Sequence, residues 1–171
     1  GLAARADEPV RIGHAIAFPP FAEVTDGRSQ GLAIDIVAAA AARTGVPVER
    51  LPLLFPGGAA EMVDWWTRSA DADMAADVAA HGIDGLKIRD RIRLAIWSRL
   101  ERAAPHREAV RRALAVLARP ANALLATRVL WRTCDAMWRA AGVKSVDASH
   151  YTRRMTLGGV YSSTLLVWLN D

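Results

Sequence analysis

A chain of 171 residues that is 52% hydrophobic and 23% charged can bury one ordinary core and has little left for a second domain. Twelve Gly, eight Pro and a net charge of +4 exclude a disordered or low-complexity chain. No apolar run approaches the roughly 20 residues of a membrane-spanning helix, and the first thirty residues lack the basic start and apolar core of a signal peptide, so neither a span nor an export address is expected. The single cysteine, Cys134, excludes an internal disulfide, and no Cys/His grouping has metal-ligand spacing, so no metal and no cofactor site is predicted. Residues 1–50 hold five Arg against six carboxylates, while residues 51–171 hold 17 basic against 12 acidic side chains. An excess of this size reads as solvated helix surface, and nucleic acid is not an expected partner.

From Val10 to Leu53 the chain reads as β-α-β. Val10 to Gly13 is a short strand candidate, Gly31 to Arg43 an Ala-rich helix closed by Gly45 and Pro47, and Val48 to Leu53 a second strand candidate. Phe18-Pro19-Pro20-Phe21 and Asp26-Gly27 lie between the first strand and the helix and are loop chemistry. Helical packing of the same segment is the alternative.

From Phe55 onward the apolar period is 3.6. The pattern predicts helices over about 59–80, with Met62, Trp65, Trp66, Met74 and Val78, and over about 84–103, with Leu86, Ile92, Ile96 and Leu100 inward and Lys87, Arg89, Arg91, Arg93 and Arg99 mostly elsewhere. A third follows over 106–118 on Val110, Leu114 and Leu117, and a fourth over 121–141 on Leu124, Leu130, Trp131, Cys134, Met137 and Trp138. A fifth, over 149–169, carries Tyr151, Met155, Tyr161, Leu165 and Trp168. Five consecutive helices joined by short loops predict an all-α bundle over 55–171, preceded by a 1–54 segment of β-α-β or helical structure.

The stretch from Leu54-Phe55-Pro56-Gly57-Gly58 through Leu86-Lys87-Ile88-Arg89 and Ala104-Pro105-His106-Arg107-Glu108 to Trp131-Arg132-Thr133, Asp135, Met137-Trp138, Tyr151-Thr152-Arg153-Arg154 and Trp168-Leu169-Asn170-Asp171 resembles the Coq-nine accessory family of ubiquinone biosynthesis. The resemblance implies a TetR-like all-α fold without catalysis, holding a lipid or isoprenoid quinone intermediate and presenting it to a di-iron quinone hydroxylase, with peripheral membrane contact and a homodimer as a further option. It implies a cytoplasmic place at the inner membrane. The lipid-binding residues would be Trp131, Met137, Trp138, Tyr161, Leu165 and Trp168, which supply soft, large apolar surface; read from periodicity alone, the same side chains fill a core. The partner surface would be His150, Tyr151, Arg153 and Arg154. This chain departs from the family pattern at His150, where a Trp is usual, at Val143, and at Gly158-Gly159. Family members also continue past the Asn170-Asp171 pair into an amphipathic helix.

Residues 10–53 resemble instead the start of a periplasmic solute-binding protein of the amino-acid transport type, through Arg11-Ile12-Gly13, Phe18-Pro19-Pro20-Phe21, Asp26-Gly27 as a hairpin turn, and Gly31-Leu32-Ala33-Ile34-Asp35-Ile36. That likeness implies a ligand cleft at Phe18 and Phe21 and a periplasmic location. The chain is too short for the two lobes of such a protein, so the sequence reads as a joint near Gly45 to Leu54, or as divergent early helices of the TetR-like fold. A TetR-type DNA-binding regulator is the third reading. It is disfavoured because residues 46–53 hold one basic side chain, Arg50, with Pro47 and Pro52 interrupting.

No catalytic constellation is present in the sequence. His14, His81, His106 and His150 are scattered, Asp71 and Asp73 do not converge on a helix, and Cys134 sits on an apolar face as a small buried hydrophobe.

Overall fold

The computed structural model describes residues 23–25, 28–30, 55–143 and 149–171. In the N-terminal part β1 (Glu23–Thr25) and β2 (Arg28–Gln30) pair antiparallel, Thr25 opposite Arg28, with the Asp26-Gly27 dipeptide between them in sequence. Asp-Gly is the dipeptide that two-residue hairpins favour, so a stretch read as loop contains a short ladder. The strand candidates at 10–13 and 48–53, the helix candidate at 31–43, and Phe18 and Phe21 lie outside the described residues.

Beyond residue 55 the described chain is a helical bundle: α1 (Gly58–His81), α2 (Ile88–Ala103), α3 (Arg107–Leu117), α4 (Ala123–Ala140) and α5 (Ser149–Asn170). The all-α expectation for this region holds. Short 3-10 turns at Ala104–His106 and Pro120–Asn122 carry the chain into α3 and α4; proline suits such turns because it has no N–H to leave unpaired. Glu61 reaches back from the first turn of α1 to accept the Gly57 N–H at 2.7 Å, satisfying one of the donors that every helix start leaves over. Asn122 does related work before α4, donating from Nδ2 to the Val116 carbonyl at 2.8 Å.

One boundary and one helix face depart from the periodic reading. α2 starts at Ile88 instead of about 84, because Gly85 turns the chain at φ +74°, a conformation that a helix excludes. On α3 the inward positions are Ala109, Ala113 and Val116, while Val110 and Leu114 are only half-buried. The bundle approaches closely enough there for alanine to serve as core.

The apolar interior forms two clusters. Phe55, Met62, Val63, Ala109, Ala113 and Val116 join the first half of α1 to α3, with Trp65 and Trp66 packed against them. Met74, Val78, Ala95, Cys134, Met137, Leu157 and Tyr161 join the second half of α1 to α2, α4 and α5. α1 therefore threads both, and its most extensive partners are α4 and α2. Gly158 is buried where α5 crosses α4, and a methyl group there would meet Leu130 Cδ2 at 3.6 Å and Cys134 Sγ at 3.8 Å, which is ordinary contact.

Met74 is fully buried, so Met74→Ala is expected to lower the unfolding free energy by about 2–5 kcal/mol in urea titrations. Gly159 faces open space on the same helix as Gly158, and Gly159→Ala is expected to raise it by about 0.5–1 kcal/mol. A neutral Met74→Ala would show that the second cluster is not the core of the bundle.

Candidate functional site

One face of α4 presents Leu124, Thr127, Arg128, Trp131, Arg132, Asp135 and Arg139, spaced so that each lies a turn or so from the next. Together they line an open groove of about 790 Å³. Its two large apolar side chains reach solvent: Leu124 is 83% and Trp131 37% exposed.

Trp131 is held in place from α5. The Tyr151 ring packs 5.7 Å from it at a 43° tilt, and the Arg154 guanidinium lies 5.9 Å from its centroid. Arg154 is itself buried and ion-paired with Asp135, which also pairs with Arg139. The aromatic platform thus rests on a cation that is neutralised within the protein.

Behind the groove Arg132 leads inward. It donates to the Asp64 carboxylate at 2.6 Å, to Thr67 Oγ1 at 2.7 Å and, at 3.4 Å, to Asp71. Asp71 accepts from Arg99 Nη1 at 2.5 Å and from the Thr133 hydroxyl at 3.0 Å, and Arg99 Nε donates to the Tyr161 hydroxyl at 2.9 Å. Arg99 and Asp71 are 8% and 6% exposed. Burial opposes the Arg99 charge, but Tyr161 and Asp71 together outweigh it and raise its pKa. The helical period sets Arg99 among the mostly outward cations of α2, but the side chain is in the core, because Asp71 and Tyr161 supply the compensation that lets a guanidinium enter it.

Of the residues singled out for lipid binding, Met137, Trp138, Tyr161 and Leu165 come together in or against the second apolar cluster. Trp131 instead lines the outer groove, and Trp168 lies under the Arg107 guanidinium, 4.5 Å from it. Among the partner residues Tyr151 and Arg153 are exposed, while Arg154 is buried beneath Trp131 and supports the surface from below. His150 is in the first turn of α5, and its side chain lies outside the described residues. The groove residues Thr127, Arg128, Asp135 and Arg139 were not singled out as a site. Their signal was the common face they share with Leu124 and Trp131.

Among the described residues no group of three or more His, Cys, Asp or Glu could hold a metal, and no single helix is long and apolar enough to cross a membrane. Burial, with the Asp71 charge adding to it, pushes the Cys134 thiol up to about 11, so it stays protonated near neutrality and is a poor nucleophile.

Residues 123–171, which contain α4, α5 and the whole groove, match the COQ9 family model. The α4–α5 unit is COQ9-like. Over 80 residues, 47% of its length, the chain is 39% identical to the ubiquinone biosynthesis protein COQ9, mitochondrial, of Rattus norvegicus, covering 26% of that protein. Over alignments of the same length it is 40% identical to COQ9-B of Xenopus laevis, covering 27%, and 38% identical to COQ9 of Homo sapiens, covering 25%. The chain therefore aligns with about a quarter of the length of these curated COQ9 relatives.

Removing one member of the buried pair leaves the other charge stranded, so Asp71→Ala is expected to cost about 3–5 kcal/mol, and Asp71→Ala/Arg99→Met less than the sum of the two single changes. Additive costs in a urea double-mutant cycle would contradict the coupling. Asp64 titrates below its ordinary value near 3.8: burial raises its pKa, and hydrogen bonds from Arg132 and Arg68 with their charges more than reverse that. A carboxylate with a depressed folded pKa contributes its full stability above about pH 4 and loses it as pH falls through the folded value. Asp64→Asn is therefore expected to flatten the acid limb of stability below about pH 4, and an unchanged slope would contradict it.

Proposed function

We propose that this COQ9-like chain serves ubiquinone biosynthesis as a non-catalytic accessory protein that holds a lipid or isoprenoid quinone intermediate and docks on a di-iron quinone hydroxylase at the inner membrane. The observation that carries the reading is the α4 groove: Trp131, braced by Tyr151 and Arg154, lies wholly within the residues that match the COQ9 model. A braced, half-exposed aromatic flanked by bare Leu124 and by Arg128 has the make-up of an interface anchor, since large rigid side chains lose little entropy when a partner covers them.

The lipid, in this reading, belongs to the interior face of the same two helices. Met137, Trp138, Tyr161 and Leu165 present polarizable apolar surface from α4 and α5 in and against the second cluster. One helix pair then serves two ligands, a protein outside and a lipid inside. The apolar outward side chains of α5, Met155, Val160, Leu166 and Val167, provide further uncharged surface for membrane contact or a second copy.

The docking half of the proposal is tested by Trp131→Ala and Leu124→Asp in a titration against the purified di-iron hydroxylase. Trp131→Ala is expected to weaken binding by about 2 kcal/mol, roughly 30-fold, with the helical circular dichroism unchanged. Wild-type affinity in both folded variants would overturn the groove as the docking site.

A further inference from the structure

The charge on α4 and α5 is one-sided. The two helices carry Arg128, Arg132, Arg139, Arg153 and Arg154 against a single carboxylate, Asp135. That carboxylate is shared, because Arg139 and Arg154 both pair with it. Arg132 is neutralised from α1, by Asp64 at 2.6 Å and Asp71 at 3.4 Å, and the same two acids also serve Arg68 and Arg99. Arg128 is the remaining arginine of the groove, and among the described residues it has no carboxylate partner. It is exposed and lies one turn from Leu124 on one side and one turn from Trp131 on the other.

A cation set between two solvent-reaching apolar side chains has a defined complement. A purely apolar partner would cover the Arg128 guanidinium without a counter-charge, and a basic one would meet repulsion. A face that carries carboxylates incurs neither cost and forms a charge-assisted hydrogen bond. The length of the groove says what kind of molecule presents them. From Leu124 to Arg139 the lining residues run along about four turns of α4, on the order of 22 Å. One phosphate headgroup covers a fraction of that length, whereas a helix laid along α4 covers all of it.

We propose that the α4 groove accepts an acidic amphipathic helix of a partner protein, and that Arg128 is the residue that selects it. The apolar side of that helix lies on Leu124 and Trp131, and one of its carboxylates pairs with Arg128. The proposal rests on the docking reading above and deepens it by giving the chemistry of the docked face.

The test uses the full chain and the purified di-iron hydroxylase, with association and dissociation rates read by surface plasmon resonance. Charge at a rim acts on encounter more than on residence, so the wild-type association rate is expected to fall roughly 10-fold as NaCl rises from about 50 to about 300 mM. Arg128→Gln is expected to slow association roughly 3- to 10-fold at the lower salt and to flatten the salt dependence. Arg128→Glu is expected to slow it further, and Arg128→Lys to keep most of the rate and of its salt dependence. Trp131→Ala is expected to act on dissociation instead. Circular dichroism confirms the fold of each variant. If Trp131→Ala weakens binding while the Arg128 series binds as wild type does, the acidic-helix assignment fails and the docking reading stands. If neither changes binding, both fail. Vesicles of phosphatidylglycerol in phosphatidylcholine are the counter-probe: retention of the chain that Arg128→Glu abolishes, with hydroxylase binding indifferent to Arg128, would overturn the helix in favour of a lipid headgroup.

Discussion

The buried ion pair between Asp71 and Arg99 is the constraint around which the bundle is organised. A carboxylate and a guanidinium in the interior are tolerable only when the desolvation each suffers is offset by the other and by neutral partners. Here Thr133 and Arg132 complete the Asp71 shell and Tyr161 completes that of Arg99. Asp71 belongs to α1, Arg99 to α2, Thr133 and Arg132 to α4, and Tyr161 to α5, so four helices must hold one registry for the charges to be satisfied. Apolar contacts alone would permit small slides along each helix; a polar layer with fixed hydrogen-bond lengths does not.

The position of that layer explains the division of the interior. Along α1 it lies between Val63, in the first cluster, and Met74, in the second. The first cluster is closed by α3 and the edge-on contact of Phe55 with Trp65 at 6.0 Å. The second includes the soft side chains of α4 and α5 and, packed against it, the Trp138 indole N–H that has no partner. Arg132 connects the layer to the groove, since the same guanidinium that lines the outer surface is anchored on Asp64, Thr67 and Asp71 within. The outer surface and the interior are thus mechanically joined through α4, and a rigid α4 is what keeps Trp131 presented.

Much of this was legible in the sequence because a 3.6 period needs only local information. All five helices fall within a few residues of where Met74, Ile96, Leu117, Met137 and Leu165 place them, and Gly82 and Gly142 mark turns at φ +80° and +83°. What was not legible is long-range. Arg99 is 28 residues from Asp71 and 62 from Tyr161, so nothing near Arg99 announces that it is buried. The inner face of α3 was misread by one position because Ala109 and Ala113 carry little hydrophobic weight, yet fit where helices approach closely. α4 is apolar on two sides, and periodicity cannot say that Met137 points to the core while Trp131 points to the groove. The short hairpin at Glu23–Gln30 was hinted at by Asp26-Gly27 alone.

The central claim is that the α4–α5 pair of this COQ9-like chain carries a lipid. Native mass spectrometry of the freshly purified full chain, followed by organic extraction, tests it most directly. The account predicts an adduct on the folded protein that is lost on extraction and identified as an isoprenoid or another lipid. A clean apo mass that stays unchanged when decylubiquinone is offered would contradict it, and the second cluster would then be a filled core.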